Sequence, residues 1–276
     1  MRNIIFQYMI TDEITELRPP VPQYSGTRSE LYERTADLSA DSFRIYADKI
    51  GAAHHFSRSR RETRDETGRT TLLFEVMRLV YDKIYDDYDK LLFVDSDIIC
   101  NTEENIFDLM DCDVYGVFES DIETSKGRGY ASWDFNPQSY KQISEKFQRR
   151  GIPIVPNTWG KHHSKVTCFN TGVMVWSRDA RLRAREVFDD WKNYMIDGDL
   201  HNEAFWLNND QLYISGQLTK HNFAIEGIDQ TWNDTPTHWD DDRGYEANFL
   251  HYTGGGNKVV MLEDYKNNKF KYLKNA

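Results

Sequence analysis

Two aspartates, Asp95 and Asp97, stand one residue apart directly after the apolar run 91–94. The run predicts a buried strand, and ligands of α/β sheets bind outside the carboxyl ends of the strands. Ionised carboxylates are costly to bury unless a partner compensates for their lost hydration. Hard divalent ions such as Mg²⁺ and Mn²⁺ prefer these oxygen ligands. The pair therefore predicts a divalent-metal site at a sheet edge, with an ordinary acidic turn as the alternative.

The composition limits the class of partner. The chain has 276 residues with 45 acidic against 34 basic side chains, and its net charge of -11 would repel the phosphates of nucleic acids and anionic membranes. No stretch approaches the ~18 apolar residues of a membrane span, and the first apolar run is too short for a signal peptide. Cys100, Cys112 and Cys168 are odd in number and irregularly spaced, which is typical of a reducing compartment. We expect a cytoplasmic protein with no nucleic-acid partner and no membrane span.

The hydrophobic pattern predicts the elements that must position the aspartates. Strands are predicted at 3–10, 52–56, 91–99, 114–118, 168–177, 223–228 and 248–254, and helices at 29–51, 70–90, 137–151, 178–196 and 203–218. The alternation of the two favours an α/β fold with a mostly parallel sheet and helices on both faces. No linker divides the chain, so a single domain over 1–276 is expected. The long loops predicted at 57–69, 120–136 and 229–247 are of the kind that often line a site.

Four separated segments resemble, in order, the motifs of nucleotide-sugar glycosyltransferases of the GT-A fold. The similarity is greatest to family 8, which includes glycogenin and lipopolysaccharide galactosyltransferases. The segments are the Asp-x-Asp strand with its following turn, CFNTGVMVWS, NNDQLYISG and FLHYTGGGNK, spread over residues 72–258 together with the preceding helix. The resemblance implies one GT-A, Rossmann-like domain. Its nucleotide-binding half would be 1–120, and its half for the donor sugar and the acceptor would be 121–276.

The same resemblance implies a role for each matched residue. Asp95, Asp97 and His251 would hold Mn²⁺ or Mg²⁺, and Asp210 and Gln211 would be catalytic residues beside the anomeric carbon. The residues that would contact the nucleotide-sugar donor are Tyr8, Met9, Ile10, Arg78, Asp95, Ser96, Asn170, Gly254 and Lys258. Tyr8–Ile10 stand where the family ends its first strand with an aspartate, which leaves the nucleotide base open.

The function implied is metal-dependent transfer of a sugar from a nucleotide diphosphate sugar, with UDP as the expected nucleotide. The acceptor would be a hydroxyl group of a glycan or another molecule, and the anomeric configuration would be retained. Two other functions stay open: a catalytically inactive nucleotide-sugar binding protein and a metal-dependent nucleotidyltransferase. The segment FQYMITDEITEL after the first strand has no glycine, which counts against the Gly-rich phosphate loop of the latter.

Several side chains have two interpretations in the sequence. The acidic run 239–244 could form a rival metal cluster or a solvated loop. Aromatic side chains that could stack on a sugar face or fix a loop are Trp133, Trp232, His238 and Trp239, with Asp134 beside the first. An inverting enzyme would need a carboxylate base instead, which Asp121, Asp134 or Asp240 could supply.

Overall fold

The computed structural model describes residues 1–11, 21–63, 71–118, 121–122, 169–193 and 210–274. Its strands are β1 Asn3–Tyr8, β2 Ala53–Ser57, β3 Lys90–Val94, β4 Ile98–Cys100, β5 Val114–Phe118, β6 Phe169–Ser177, β7 Ile225–Gly227 and β8 Phe249–His251. Its helices are α1 Arg28–Ile50, α2 Arg78–Tyr81, α3 Arg178–Val187, α4 Asp210–Lys220 and α5 Gly254–Lys266. The predicted α/β class is confirmed, and strands from both ends of the chain enter one sheet.

The main sheet has the strand order β2-β1-β3-β6-β5-β7. Its pairs β1–β2, β1–β3 and β5–β7 are parallel, which confirms the mostly parallel sheet, but β6 runs antiparallel to both of its neighbours. The amino-terminal half of β6 therefore meets the carboxyl end of β3. Val94 is opposite Val173, and the Asp95 N–H donates to the Gly172 carbonyl at 2.9 Å.

A second, two-stranded sheet pairs β4 with β8 in antiparallel register. Ile98, the first residue after the Asp-Ser-Asp turn, lies opposite His251. The Tyr252 N–H also donates to the Asp97 carbonyl at 2.9 Å. This small sheet therefore brings the late histidine next to the early aspartates, although about 150 residues of chain separate them.

Alternation along the central strands gives each face of the sheet its own core. Ile4, Phe6, Leu91, Phe93, Met174 and Trp176 pack with residues of α3 and α4, such as Ala180, Ala184, Ile214 and Leu218. Ile5, Leu92, Val94, Val173 and Val175 pack on the opposite face with Phe43, Tyr46 and Ala47 of α1. Helices thus cover both faces, as the continuous apolar strands predict.

Helix α1 fixes the small sheet as well as the large one. A capping box of Thr27 and Glu30 starts it, and Gly51, with φ +68°, ends it. On its buried side, Ser39 donates to the Ile98 carbonyl at 2.6 Å, and the Cys100 N–H donates to Ser42 at 3.2 Å. These bonds hold β4 in place beside the Asp-Ser-Asp turn.

The single amphipathic helix predicted at 70–90 is wrong. The segment forms a 3₁₀ helix at Thr71–Met77, the short α2 and another 3₁₀ turn at Lys83–Tyr85. Asp82 is extended at φ -81° and ψ 109°, and its side chain caps Ile84. The residues from Phe74 to Val80 are all buried, including Glu75 and Arg78, so there is no exposed face of the kind that the periodicity implies.

Two other helices differ from the predictions. Helix α3 ends at Val187 rather than 196, because the backbone of Phe188 becomes extended at ψ 138°. Helix α5 was not predicted, since three glycines at its start have low helix propensity. The predicted helix at 137–151 and most of the predicted loop at 120–136 lie outside the described residues.

Two further features bear on the expectations from composition. Cys100 and Cys112 are free thiols, and Cys168 is outside the described residues. In the described part of the chain, no helix is long and apolar enough to cross a membrane.

Candidate active site

Asp95, Asp97 and His251 converge at the point where β3, β4 and β8 meet. The His251 Nε2 atom is 3.3 Å from Asp97 Oδ1 and 3.9 Å from Asp95 Oδ2. One potential ligand atom from each of the three residues lies within 4.8 Å of the other two. Among the described residues, no other group of three histidine, cysteine or acidic side chains meets this spacing. The donor set of two carboxylates and one imidazole suits Mn²⁺, and its carboxylates suit Mg²⁺.

The two carboxylates have opposite environments. Burial by itself would raise the pKa of Asp97, but the Lys258 ammonium in direct contact with it and the nearby His251 outweigh burial and lower the pKa below its usual range. Surrounding protein, together with the Asp97 charge, raises the pKa of Asp95 to about 6, although 41% of its side chain is exposed. The exposed Asp95 therefore faces outward, while Asp97 is held in a buried ion pair.

A third carboxylate, Asp210, stands at the start of α4 and interacts with Asp95. It is buried, forms a hydrogen bond with Thr171, and feels the charge of Asp95. Burial first and the Asp95 charge second raise its pKa to about 7. Burial and the charges of Asp210 and Asp95 likewise raise the pKa of Tyr8, whose hydroxyl donates to the Leu73 carbonyl at 3.0 Å. Gln211 is half-buried and follows Asp210 in the first turn.

Gly172 on β6 leaves the space in which these side chains meet. A Cβ atom there would lie 2.8 Å from Asn170 Oδ1, 2.8 Å from His251 Cε1 and 3.1 Å from Asp95 Oδ2. Such separations are closer than van der Waals contact, so any side chain at this position would displace the groups around it. The glycine of the Phe-Asn-x-Gly segment is thus needed for the close approach of three candidate site residues.

Asn233 is a site residue that the sequence did not reveal. It is 1% exposed, and its side chain contacts His251 Nδ1 at 2.7 Å and Asn170 Oδ1 at 2.9 Å. The only sequence signal was the length of the loop that contains it. An asparagine in a loop between two short strands has no pattern that distinguishes it from a turn residue.

Lys258 reaches the aspartates from the start of α5. The helix follows Thr253, and Gly254 has φ +77°, a conformation that side chains other than glycine rarely adopt. Lys258 is 7% exposed, and its ammonium group lies 5.1 Å from the centre of the Tyr32 ring in addition to contacting Asp97. The glycine turn at the start of α5 thus brings the lysine to Asp97.

The candidate donor residues near β1 separate into two groups. Ser96 Oγ is 3.6 Å from Met9 Sδ, so Met9 lies against the Asp-Ser-Asp turn, and Ile10 follows it as a half-buried residue. Arg78 is fully buried instead, donates to Ser57 Oγ at 2.7 Å, and lies over the Phe6 ring at 5.0 Å. Contact between Arg78 and a donor would therefore require movement of the residues that cover it.

The rival acidic run does not assemble a cluster. Asp240, Asp241 and Asp242 are exposed, and Asp241 pairs with Arg243 at 2.9 Å. Asp121 is also exposed. These carboxylates have the features of a solvated loop.

The candidate sugar-stacking aromatics differ in exposure. Trp232 is buried, with its ring edge-on to Phe249 at 5.1 Å, so it packs in the core. Half-buried Trp239 donates to Asp234 at 3.0 Å, and His238 beside it is half-buried too. Trp133 and Asp134 lie outside the described residues.

No family model matches the chain, and no curated protein does. One similar solved structure is a glycosyltransferase involved in glycosylation of the major capsid of PBCV-1, with a TM-score of 0.49 and 15% identity over 95% of this chain and 100% of that one. Another is galactosyltransferase LgtC in complex with donor and acceptor sugar analogues, with a TM-score of 0.47 and 11% identity over 95% of each chain. A third is apo mouse xyloside xylosyltransferase 1, with a TM-score of 0.46 and 11% identity over 92% of this chain and 98% of that one.

We predict that Gly172→Ala disrupts the site while the protein stays folded. The added methyl group meets the ends of three side chains rather than backbone, so those side chains must turn away from one another. Mn²⁺ affinity, measured by electron paramagnetic resonance, should fall at least about tenfold, a loss of ~1.4 kcal/mol.

Gly256→Ala is the matched control, because a Cβ atom there has nothing within 4 Å and lies in a helix. It should leave Mn²⁺ affinity unchanged and raise thermal stability slightly, since alanine is the better helix former. Equal Mn²⁺ affinities of the two variants would mean that the space at Gly172 is not needed by the site.

Proposed function

We propose that this protein is a metal-dependent glycosyltransferase that moves a sugar from a nucleotide diphosphate sugar, with UDP as the nucleotide, to a hydroxyl acceptor. The observation that carries the proposal is the convergence of segments far apart in the chain on one small site. Asp95, Asp97 and His251 provide potential ligand atoms within 4.8 Å of one another, Lys258 contacts Asp97, and Asp210 lies close to Asp95. The glycosyltransferase motifs that the sequence resembles contain these same residues.

The residues present fit a divalent cation. Asp95, Asp97 and His251 would hold Mn²⁺ or Mg²⁺, which would supply positive charge to the leaving diphosphate. His251 is 4% exposed and Asp97 is 9% exposed, while Asp95 keeps an accessible oxygen-bearing side chain. Asp95 is thus the ligand best placed to meet both an incoming ion and the nucleotide. Mg²⁺ in particular usually combines one or two carboxylates with substrate phosphates.

Lys258 would act on the diphosphate together with the bound cation. In the protein alone, its ammonium group neutralises Asp97. A cation bound to the same carboxylate would weaken that attraction by charge repulsion and leave Lys258 to pair with phosphate oxygens. One unit-charge pair at ~4 Å contributes about 4 kcal/mol at an effective dielectric of ~20 before desolvation. Stabilisation of this size at the leaving diphosphate would lower the barrier to breaking the bond between the sugar and the phosphate.

Asp210, Gln211 and Asn170 would border the donor sugar. Asp210 is buried at the start of α4, where its charge interacts with Asp95 and Tyr8, and Gln211 follows it as a half-buried side chain. The resemblance of the segments that carry Asn170, Asp210 and Gln211 to a retaining family supports a reaction on the same face of the sugar as the leaving group. Retention of configuration follows as the stereochemical part of the proposal.

We predict that strong binding of UDP depends on a divalent ion. Calorimetry on the wild-type protein should give strong binding of UDP with Mn²⁺ and a loss of at least about tenfold in affinity without it. Asp97→Asn and His251→Ala should each reduce the Mn²⁺-dependent part. Asp87→Asn, the same chemical change at an exposed aspartate, should not. Equal UDP affinity in all of these proteins, with and without Mn²⁺, would exclude the metal site.

Lys258→Met should change two affinities in opposite directions. Removing the ammonium group that occupies Asp97 should raise Mn²⁺ affinity in the absence of nucleotide. The same change should lower UDP affinity at saturating Mn²⁺ by about tenfold, or ~1.4 kcal/mol, because the phosphates lose a cation. A variant in which both affinities fall together would show that Lys258 only supports the fold.

Proton NMR of the sugar product from an α-linked donor would test the reaction and its stereochemistry. A panel of nucleotide sugars with Mn²⁺ first identifies the donor by its slow hydrolysis, and the anomeric proton then reports the configuration. We expect an α-linked product from the transfer reaction. A β-linked product would move the catalytic role from Asp210 and Gln211 to a loop carboxylate such as Asp240, and a wholly inert panel would favour a binding protein without catalysis.

A further inference from the structure

We infer that Asn233 is a positioning residue that fixes His251 as the tautomer protonated on Nδ1 and presents its unprotonated Nε2 atom to Asp95 and Asp97. The inference rests on the proposed function in one respect, since it takes these three residues as the ligands of a cation. It adds a residue that no motif identified. It also specifies the proton position on His251, which the coordinates of the ring alone cannot give.

The first step is the orientation of the Asn170 amide. Its side chain contacts the backbone N–H of Gly172 at 3.0 Å. A backbone N–H can only donate, so the Asn170 atom in contact must be the oxygen, Oδ1. This removes the usual ambiguity between the oxygen and nitrogen of an asparagine side chain.

The second step transfers that orientation to Asn233. The same Asn170 oxygen lies 2.9 Å from one terminal atom of the Asn233 side chain. Since an oxygen accepts, this atom of Asn233 must be the nitrogen donor, Nδ2. The remaining Asn233 atom is Oδ1, and it lies 2.7 Å from His251 Nδ1.

The third step assigns the proton on His251. An amide oxygen accepts hydrogen bonds, so His251 Nδ1 must carry the hydrogen that it donates. In a neutral ring, the other nitrogen, Nε2, then holds the lone pair, and this is the atom that lies 3.3 Å from Asp97 and 3.9 Å from Asp95. Metal-binding histidines are typically oriented by such an outer hydrogen bond from the second nitrogen.

Backbone bonds hold Asn233 and His251 in register. The Asp234 N–H donates to the Phe249 carbonyl at 3.1 Å, and the His251 N–H donates to the Asp234 carbonyl at 2.7 Å. Asn233 is 1% exposed and His251 is 4% exposed, so water does not compete for their contact. A chain of hydrogen bonds therefore runs from the Gly172 N–H through Asn170 and Asn233 to His251. The backbone donor at its start fixes which atom donates and which accepts at every later step.

Two variants separate positioning from packing. Asn233→Leu keeps the approximate shape but removes the acceptor, so the His251 ring loses the bond that selects its tautomer. Asn233→Asp keeps an acceptor for Nδ1–H but cannot donate to Asn170. We expect Mn²⁺ affinity, measured without nucleotide, to fall roughly 10–100-fold in the leucine variant and to be largely retained in the aspartate variant. A packing role would give the reverse order, because buried leucine is tolerated better than buried charge.

Nitrogen-15 NMR of the metal-free protein gives a readout that a packing role would not move. The His251 signals are assigned by their loss in His251→Gln, and the tautomer is read under conditions in which the ring is neutral. We expect the proton on Nδ1 in the wild-type protein and in Asn233→Asp, and a shift toward the Nε2–H tautomer in Asn233→Leu. A wild-type ring protonated on Nε2 would overturn the inference, as would unchanged Mn²⁺ affinity in folded Asn233→Leu.

The two proposals can fail separately. A wild-type protein that binds no Mn²⁺ but carries the proton on Nδ1, and loses that preference in Asn233→Leu, would contradict the metal site and confirm the role of Asn233 in fixing the tautomer. A wild-type protein that binds Mn²⁺ with His251 protonated on Nε2 in its metal-free state would do the opposite. If Asn233→Leu fails to fold, the tautomers of the wild-type and aspartate proteins still decide the inference.

Discussion

Asp95 and Asp97 repel each other, and the surrounding structure has to compensate for this repulsion. Two like charges within 4.8 Å repel by at least about 3.5 kcal/mol at an effective dielectric of ~20, before any cost of burial. The protein offsets part of this cost with one ammonium group, that of Lys258, which contacts Asp97. The carboxylates also take different positions, since Asp97 is buried and paired while Asp95 remains partly exposed. The pair is thus tolerated in the protein alone and still retains an accessible side for a cation.

The topology explains how segments so far apart in sequence reach this pair. A purely parallel sheet would place only carboxyl ends of strands at the Asp-Ser-Asp turn. Because β6 is antiparallel, its amino-terminal half brings Asn170, Thr171 and Gly172 to the same edge. The small sheet of β4 and β8 adds His251 from the end of the chain. The site therefore needs three elements together: the parallel strands β1 and β3, the antiparallel strand β6, and the second sheet of β4 and β8.

The sequence was sufficient to locate most strands and the aspartate pair, but not features that depend on tertiary contacts. The single strand predicted at 91–99 is in fact β3 and β4, which belong to different sheets. Apolar runs as short as that of β3 identify strands because both faces of the sheet are covered. The same reasoning failed at 70–90, where all residues from Phe74 to Val80 are buried and Asp82 interrupts the helix. Helix α5 was missed because three glycines open it and glycine has low helix propensity, although of these only Gly254 has a positive φ. Asn233 could not be found because its importance lies in its two partners, which come from different strands.

Gln7 shows that backbone carbonyl groups on either side of the Asp-Ser-Asp turn form hydrogen bonds with uncharged side chains. In the sequence it interrupts the apolar run of β1, yet it is fully buried. Its side-chain nitrogen donates to Ser39 at 2.8 Å and lies 3.3 Å from the Asp95 carbonyl, while Ser39 donates to the Ile98 carbonyl. Neutral hydrogen bonds thus hold the backbone on both sides of the Asp-Ser-Asp turn.

The backbone of the Asp-Ser-Asp turn is held by hydrogen bonds, whereas the charge of its aspartates is balanced in part by the Lys258 side chain. The positions of the carboxylates depend on neutral, buried hydrogen bonds, so they do not have to be created when a ligand arrives. Their charge is balanced by a lysine side chain, whose ammonium group can change partners by rotation about its own bonds. Under the proposed function, a bound cation would release Lys258 from Asp97 without any change in the backbone of the Asp-Ser-Asp turn. The carboxylates of Asp95 and Asp97 thus keep their positions without a ligand, and Lys258 balances part of their charge.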